Sequence, residues 1–385
     1  MILMLTRSGF KLINVFSPYI GLRDIYFVSK SLMKSYISGT SPVIKEFENK
    51  FSNFIGKDYA IAVSNGSVAL DLSLQALDLE ENDEVILPSF TIISALSAVL
   101  RTPAKPVFCD VDEFTWNTDL KHIKDLISDN TKAIILVHTY GLVSDVVGIK
   151  DYCAERNITI IEDTAEAHGQ SIENKMCGSF GQISTFSFYA NKHITTGEGG
   201  MILVDSKELY KKLLNMRNLD FNNKKRFVHE NLYWNYRLSG LQAALGLSQI
   251  KTINSTIRRK TIQAKNYYNL LEEHQDKFQL PIKKINGVYN HYWVFGIVLK
   301  REGIRDNLIN YLDENGIETR PFFYPLHKQP LLGGKYENLE YKNSERIGTN
   351  GLYLPMGKRL TKSQQKDISS KLIEGYKLLS DLDEN

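Results

Sequence analysis

Three small groups of residues carry the chemistry this sequence offers, and the first is a single lysine. Lys192 follows an apolar, β-branched and aromatic run over 183–189 and precedes a glycine-rich turn over 195–200. That order describes a strand delivering one amine to a tight loop. Apolar packing on one side and close backbone on the other disfavour the ammonium form, lowering the pKa from its ordinary value of about 10.4. The neutral amine is a nucleophile able to form Schiff bases. The competing reading is an ordinary solvated lysine, because lysines are rarely buried. What decides between them is the company Lys192 keeps.

The second group, Ser64-Asn65-Gly66-Ser67, opens a helical pattern with Leu70, Leu74 and Leu77 on one face. Small residues at a helix N-terminus leave backbone N–H groups to hold an anion, and the Ser67 hydroxyl adds a donor. Two other readings fit the same residues. Ser67 is equally suited to be a plain N-cap, and Asn65-Gly66-Ser67 matches a glycosylation acceptor, which the lack of a secretory signal disfavours. The third group is Ile161-Glu162-Asp163, in which Asp163 ends an apolar run. A carboxylate at the carboxyl end of a buried parallel strand is costly unless it meets a cation, and a protonated pyridine nitrogen is one. Its competing role is an N-cap for a following helix. Together, a nucleophilic lysine, a phosphate cup and a buried acid describe one ligand: an aromatic aldehyde bearing a phosphate and a ring nitrogen, pyridoxal phosphate.

Positioning such groups takes an open α/β sheet. From 59 to 204 short apolar runs alternate with longer helical patterns, the signature of βα units and a mostly parallel sheet. The pattern predicts strands at 84–87, 106–110, 133–138, 159–163, 183–188 and 201–204. Ligands bind outside the carboxyl ends of strands in such sheets, which brings Asp163, Lys192 and the loop 88–93 to one edge. A long helix is predicted over 241–273, with the basic cluster Arg258, Arg259 and Lys260 as a solvated face. A smaller α+β unit follows, with a strand over 292–299 and a helix over 305–315 closed by Gly316. It continues through a proline-bracketed segment, 320–330, to a final helix opened by a capping box, Thr361 and Gln364. The expected division is a large domain over 1–250, with 1–14 as an extension, and a small domain over 251–385.

Composition is that of an ordinary soluble globular protein. The chain has 385 residues, enough for one large core and a second domain, with 43% apolar and 24% charged residues. Its 47 basic and 44 acidic residues leave a net charge of +3, so no electrostatic footprint argues for nucleic acid or an anionic membrane. No run approaches the ~18 apolar residues that span a bilayer. Cys109, Cys153 and Cys177 are odd in number and lack metal-ligand spacing, which points to a cytoplasmic protein without a disulfide framework or metal site.

The sequence resembles the DegT/DnrJ/EryC1/StrS sugar aminotransferases of the aspartate-aminotransferase (fold type I) superfamily, from about residue 18 to residue 376. The motifs that carry it are Ser64-Asn65-Gly66-Ser67-Val68-Ala69-Leu70, Ile161-Glu162-Asp163, Phe186-Ser187-Phe188, Lys192, Thr196-Gly197-Glu198-Gly199-Gly200 and Asn235-Tyr236-Arg237-Leu238. The resemblance implies a pyridoxal phosphate enzyme in which Lys192 binds the cofactor covalently and Asp163 faces the ring nitrogen. It also implies that Gly66, Ser67 and Ser187 hold the phosphate, while Asn235, with Arg237 beside it, reaches across from the other subunit of a homodimer. Ile92 stands where an aromatic residue often stacks on the cofactor ring, and Glu166 where many members have Gln near the cofactor hydroxyl. The stretches 115–117, 188–201 and 318–327 resemble the members that act on GDP-4-keto-6-deoxymannose to give GDP-perosamine for O-antigen or other glycans. That resemblance makes Arg320, Phe323, Tyr324 and His327 sugar or diphosphate contacts. The implied reaction moves the amino group of L-glutamate onto the keto carbon of a nucleotide-linked 4-keto-6-deoxyhexose. The rival readings are a UDP- or dTDP-linked 4-keto or 3-keto substrate, a 3-dehydratase, in which a histidine replaces the lysine, and a non-catalytic sensor keeping the fold.

Overall fold

The computed structural model describes residues 12–221 and 227–382. Seven strands form the large sheet: β1 (Tyr59–Val63), β2 (Glu84–Pro88), β3 (Lys105–Cys109), β4 (Thr131–Val137), β5 (Thr159–Asp163), β6 (Ile183–Ser187) and β7 (Gly200–Val204), in the order β1-β7-β6-β5-β4-β2-β3. All neighbours are parallel except β7, which runs antiparallel to both β1 and β6. The strands reproduce the predicted runs to within two residues at either end, and β1 adds a strand inside the alternating region. β2, β4 and β7 are buried along most or all of their length, as strands covered on both faces must be.

One face of this sheet packs on helices α3 (Gly66–Gln75), α4 (Ile93–Leu100) and α6 (Lys207–Arg217), through Leu70, Leu74, Leu96, Val99 and Leu213 against Ile61, Ile135, Ile183 and Ile202. Its other face is covered by α2 (Pro42–Ile55), α5 (Val146–Ala154) and α7 (Gly240–Ile250). Alternation along β6 decides which side chains serve the core. Phe186 enters the cluster of Phe47 and Phe51, while Ile183 belongs to the opposite face. Thr185 and Ser187 share that second face and line a cleft.

The predicted helix over 241–273 is two helices, α7 and α8 (Ile253–Leu271), interrupted at Lys251 and Thr252. Its basic cluster divides: Arg258 and Arg259 are exposed, but Lys260 is buried at 5% exposure. Lys260 falls on the stripe Ile253, Thr256, Lys260, Ala264, Tyr267 and Leu271, whose helical spacing turns it inward. A four-stranded antiparallel sheet follows: β8 (Phe278–Gln279), β9 (Phe295–Leu299), β10 (Arg320–Pro321) and β11 (Gly351–Leu354), in the order β8-β9-β11-β10. It packs on α8, α9 (Arg305–Glu314) and α11 (Lys362–Leu382). α9 closes with Gly316 at φ 75°, and the Thr361–Gln364 capping box forms, with each side chain bonded to the other's backbone N–H. An aromatic cluster of Phe90, Trp116, Tyr140, Trp293 and Phe322 joins the two sheets. The expected N-terminal extension lies outside the described residues up to position 11; Ile13 bridges to Ile317 beside the second sheet.

Candidate active site

Lys192 is placed by a closed loop after β6. Phe188 N–H donates to Gly199 O at 2.7 Å and Thr196 N–H to Phe188 O at 2.9 Å, so residues 188–199 return to their starting point. Gly197, at φ 83°, makes a turn that side chains disfavour. Within this loop the Lys192 side chain is 9% exposed. Its Nζ lies 3.6 Å from Glu166 Oε1 and 3.5 Å from the centroid of the Trp293 ring. Burial lowers the proton affinity of Lys192, against the opposing charges of Glu166 and Asp163. Glu166 is pushed up to about 7 by burial, opposed by Lys192 and by the amide of Tyr140, which donates to Oε2 at 2.9 Å. Burial disfavours both charges, so the two groups titrate as a pair.

Asp163 stands at the end of β5 at 3% exposure, and no helix follows it to be capped. Its Oδ1 accepts from Ala165 N at 3.1 Å. Burial raises its pKa, and the bond from Ala165 and the charge of Lys192 act the other way. Behind it, Glu162 is fully buried, accepts from the amides of Gly178, Phe180 and Gly181, and meets His138 Nε2 at 2.9 Å. With Cys177 these residues are ligand types gathered in one place. His138 Nδ1 accepts from Ser144 N at 3.1 Å, which leaves its proton on Nε2 toward Glu162, and these bonds fix the strand end that presents Asp163.

The third part is the N-terminus of α3. Asn65, not Ser67, is its N-cap, with Oδ1 accepting from Val68 N at 2.9 Å. That frees the Ser67 hydroxyl, which lies 2.7 Å from Ser94 Oγ. Gly66 has no room for a side chain: an added Cβ would lie 2.7 Å from Ser187 Cβ. This packing brings the first turn of α3 against Ser187, so backbone N–H groups, three serine hydroxyls and the positive end of the helix converge. A cleft of about 500 Å³ joins Gly66, Ser67, Ser187, Asp163, Glu166 and Lys192. Ile92, 39% exposed, lines it at the N-cap of α4 and offers apolar contact in place of ring stacking. The combination suits pyridoxal phosphate: an amine, a buried acid for the ring nitrogen and an anion-binding turn lie on one cleft.

Other sequence-predicted residues separate. Arg320 and Phe323 line the cleft, Arg320 also pairing with Glu318 at 2.9 Å. Tyr324 is half exposed and lies outside it. His327 must be reassigned. It is buried at 2% exposure, its Nδ1 is 2.6 Å from Ser89 Oγ and its Nε2 is 3.0 Å from Glu345 Oε1. With both ring nitrogens engaged, it clamps the end of β2 to α10 (Lys342–Asn350) and has none left for a sugar. Asn235 and Arg237 lie outside the cleft of their own chain. Asn235 Oδ1 accepts from Arg237 N at 3.3 Å, and the Arg237 guanidinium bonds Asn218. Of the polar loop 222–231 that precedes them, residues 222–226 lie outside the described residues. The sequence reading missed Trp293, in the bend before β9, and Tyr353, on β11, which line the cleft, and no local pattern marks them.

A lysine at the end of a mostly parallel sheet, facing a buried acid and a helix N-terminus, defines a type I pyridoxal phosphate-dependent transferase fold. The chain belongs to the DegT/DnrJ/EryC1/StrS aminotransferase family, whose profile matches residues 21–373. It is 37% identical over 370 residues to GDP-perosamine synthase of Escherichia coli O157:H7, covering 95% of this chain and 99% of that protein. It is 34% identical over 362 residues to GDP-perosamine synthase of Vibrio cholerae, covering 93% and 97%. Among solved structures, the aminotransferase TlmJ from Streptoalloteichus hindustanus matches with a TM-score of 0.89 at 27% identity, covering 96% of this chain and all of that one. The aminotransferases of this family depend on pyridoxal phosphate. Among the described residues no helix is long and apolar enough to cross a membrane.

Proposed function

We propose that this enzyme moves the amino group of L-glutamate onto C4 of a nucleotide-linked 4-keto-6-deoxyhexose, with GDP-4-keto-6-deoxy-D-mannose as substrate and GDP-perosamine as product. The observation that carries this reading is Lys192 Nζ, buried in one cleft with Asp163, Glu166 and the α3 N-terminus. The choice of sugar is supported by the relatives of 34 to 37% identity named GDP-perosamine synthase. A nucleotide-sugar product for O-antigen or related glycans fits an enzyme of the cytoplasm.

Pyridoxal phosphate, when bound, supplies a carbonyl carbon that takes up an amino group and a ring that delocalises the electron pair left by a broken C–H bond. Lys192 would hold it covalently and, once released, use its neutral Nζ to take a proton from the donor's Cα and deliver it again. Such acid–base help contributes about 10² to 10⁴ in rate. Asp163 would stabilise a positive ring nitrogen, and Glu166 would exchange a proton with Lys192 beside the cofactor hydroxyl. Gly66, Ser67 and Ser187 would bind the phosphate. Trp293 and Phe323 keep water from the amine, and Arg320 offers a planar guanidinium to the substrate's diphosphate or to the glutamate carboxylate.

A homodimer completes the proposed site. Leu22, Ile25, Tyr26, Leu32 and Met33 leave an exposed apolar surface on α1 (Leu22–Met33), and Leu232 and Trp234 are exposed beside Asn235. Patches of this kind mark protein contacts. Buried in a twofold interface, they bring Asn235 and Arg237 toward the phosphate site of the partner. The large domain would then end at residue 250, between α7 and α8.

Borohydride reduction followed by peptide mapping tests the central assignment: label on Lys192, absent in Lys192→Ala, is expected. Label on another lysine refutes it. Incubation with glutamate and a panel of GDP-, UDP- and dTDP-linked keto sugars, read by product mass, tests the sugar. Turnover of only a dTDP or UDP sugar would favour the rival substrates, and loss of a hydroxyl without amination would favour the dehydratase.

A further inference from the structure

Lys260 is a second buried lysine behind the first, and nothing in the reaction as described uses it. From α8, its Nζ donates to Trp293 O at 2.7 Å and lies 3.5 Å from Asn191 O. Trp293 Nε1 donates to that same Asn191 carbonyl at 3.1 Å, and the Trp293 ring holds Lys192 Nζ 3.5 Å from its centroid. Asn191 immediately precedes Lys192. One ammonium thus joins the loop that carries the reactive lysine, after β6, to the residue that covers it, before β9.

We propose that Lys260 is a positioning residue for Lys192: it ties the carbonyls of Asn191 and Trp293 together and so holds the amine, buried, against the indole. Removing a buried ammonium is costly to the groups it bonded, because the Trp293 carbonyl would lose its donor. Burial is the leading cause that lowers the proton affinity of Lys192, so a tie that keeps the amine under the indole also keeps it neutral. The neighbouring titratable groups surround both lysines. Asp163 and Glu166 face Lys192, and both favour its protonation. The His168 imidazole faces both lysines and His193 faces Lys260, with His291 behind them, and burial keeps all three neutral. Among the described residues no carboxylate is paired with Lys260, and its bonds go to the two carbonyls alone. Burial, reinforced by the charge of Lys192, brings Lys260 down to about 7, so it is partly protonated at neutral pH.

This inference rests on Lys192 being the reactive lysine, which the borohydride mapping of the wild type tests separately. The test of Lys260 uses cofactor-free protein. Reductive methylation with formaldehyde and cyanoborohydride is followed across pH 6 to 10, and Lys192 is quantified by peptide mass. Lys260→Met keeps the length of the side chain and removes the charge. Its Lys192 modification should move to higher pH and slow by about threefold to tenfold near neutrality. Lys260→Arg, which keeps the charge at every pH used, should hold the Lys192 profile at or below that of the wild type. An unchanged profile in folded Lys260→Met, or in Lys260→Arg a shift to higher pH, overturns the proposal. If Lys260→Met does not fold, the arginine variant decides alone. Circular dichroism and thermal unfolding establish the folded state of each variant.

Discussion

Gly66→Ala offers a test in which the structure sets the size of the effect. An added Cβ would sit 2.7 Å from Ser187 Cβ and 3.2 Å from Ser187 Cα, about 0.7 Å short of ordinary contact at 3.4 Å. Neither neighbour is a flexible side-chain end: Ser187 Cα is backbone of β6, Cβ is bonded directly to it, and β6 is paired on both sides. The strain must therefore move the N-terminus of α3. Overpacking of this kind costs about 1 to 3 kcal/mol of stability. A displacement of about 0.7 Å stretches a bond of about 2.9 Å past the length at which it still counts as one. Hydrogen bonds to a charged group are worth about 1.5 to 3 kcal/mol each, so losing one predicts cofactor affinity weaker by roughly tenfold to a hundredfold. The assay is titration of cofactor-free protein with pyridoxal phosphate, followed by absorbance, with thermal unfolding alongside. Wild-type affinity in Gly66→Ala would refute the phosphate assignment at this turn, and an unchanged melting temperature would refute the packing argument.

Three other outcomes follow from particular residues. His327→Ala removes a buried ring and leaves the Ser89 hydroxyl without its partner. It should lose about 2 to 4 kcal/mol of stability in urea unfolding and slow the glutamate and sugar half-reactions alike; a loss confined to the sugar half would restore the sugar contact. Burial depresses His168 to about 3 and His291 to about 4, so the native state binds fewer protons than the unfolded chain once the pH falls below about 6.5. Their contribution is intact above that pH and is lost as acid is added, by about 2 kcal/mol each at pH 5; equal urea midpoints at pH 7 and pH 5 would contradict it. Mixing Lys192→Ala and Asn235→Ala subunits should restore about a quarter of wild-type activity, since half of random dimers are mixed and each holds one intact site. No recovery with both variants folded would exclude a shared site.

Much of the protein is written locally. The continuous apolar runs that became β2, β4 and β5 are the pattern a buried parallel strand requires, and they placed Asp163 at a strand end. The order of strand, lysine and glycine turn likewise located Lys192, because a tight turn after a buried strand is a short-range property. Helix ends at Gly316 and Thr361 were legible for the same reason. Ser67 and His327 were not. The choice between N-cap and free hydroxyl depended on whether Asn65 or Ser67 took the cap, and the fate of His327 on Ser89, far away in the chain, and on Glu345 of another helix. Lys260 shows where the boundary lies. Its helical stripe was in the sequence, yet an inward position for a lysine makes sense only once two distant carbonyls are there to receive its ammonium. Local propensity and periodicity therefore fixed the elements and the groups at their ends. Which polar side chains are buried, and what they touch, was decided by tertiary packing, because the energy of a buried charge or ring depends on partners that only the folded chain brings within reach.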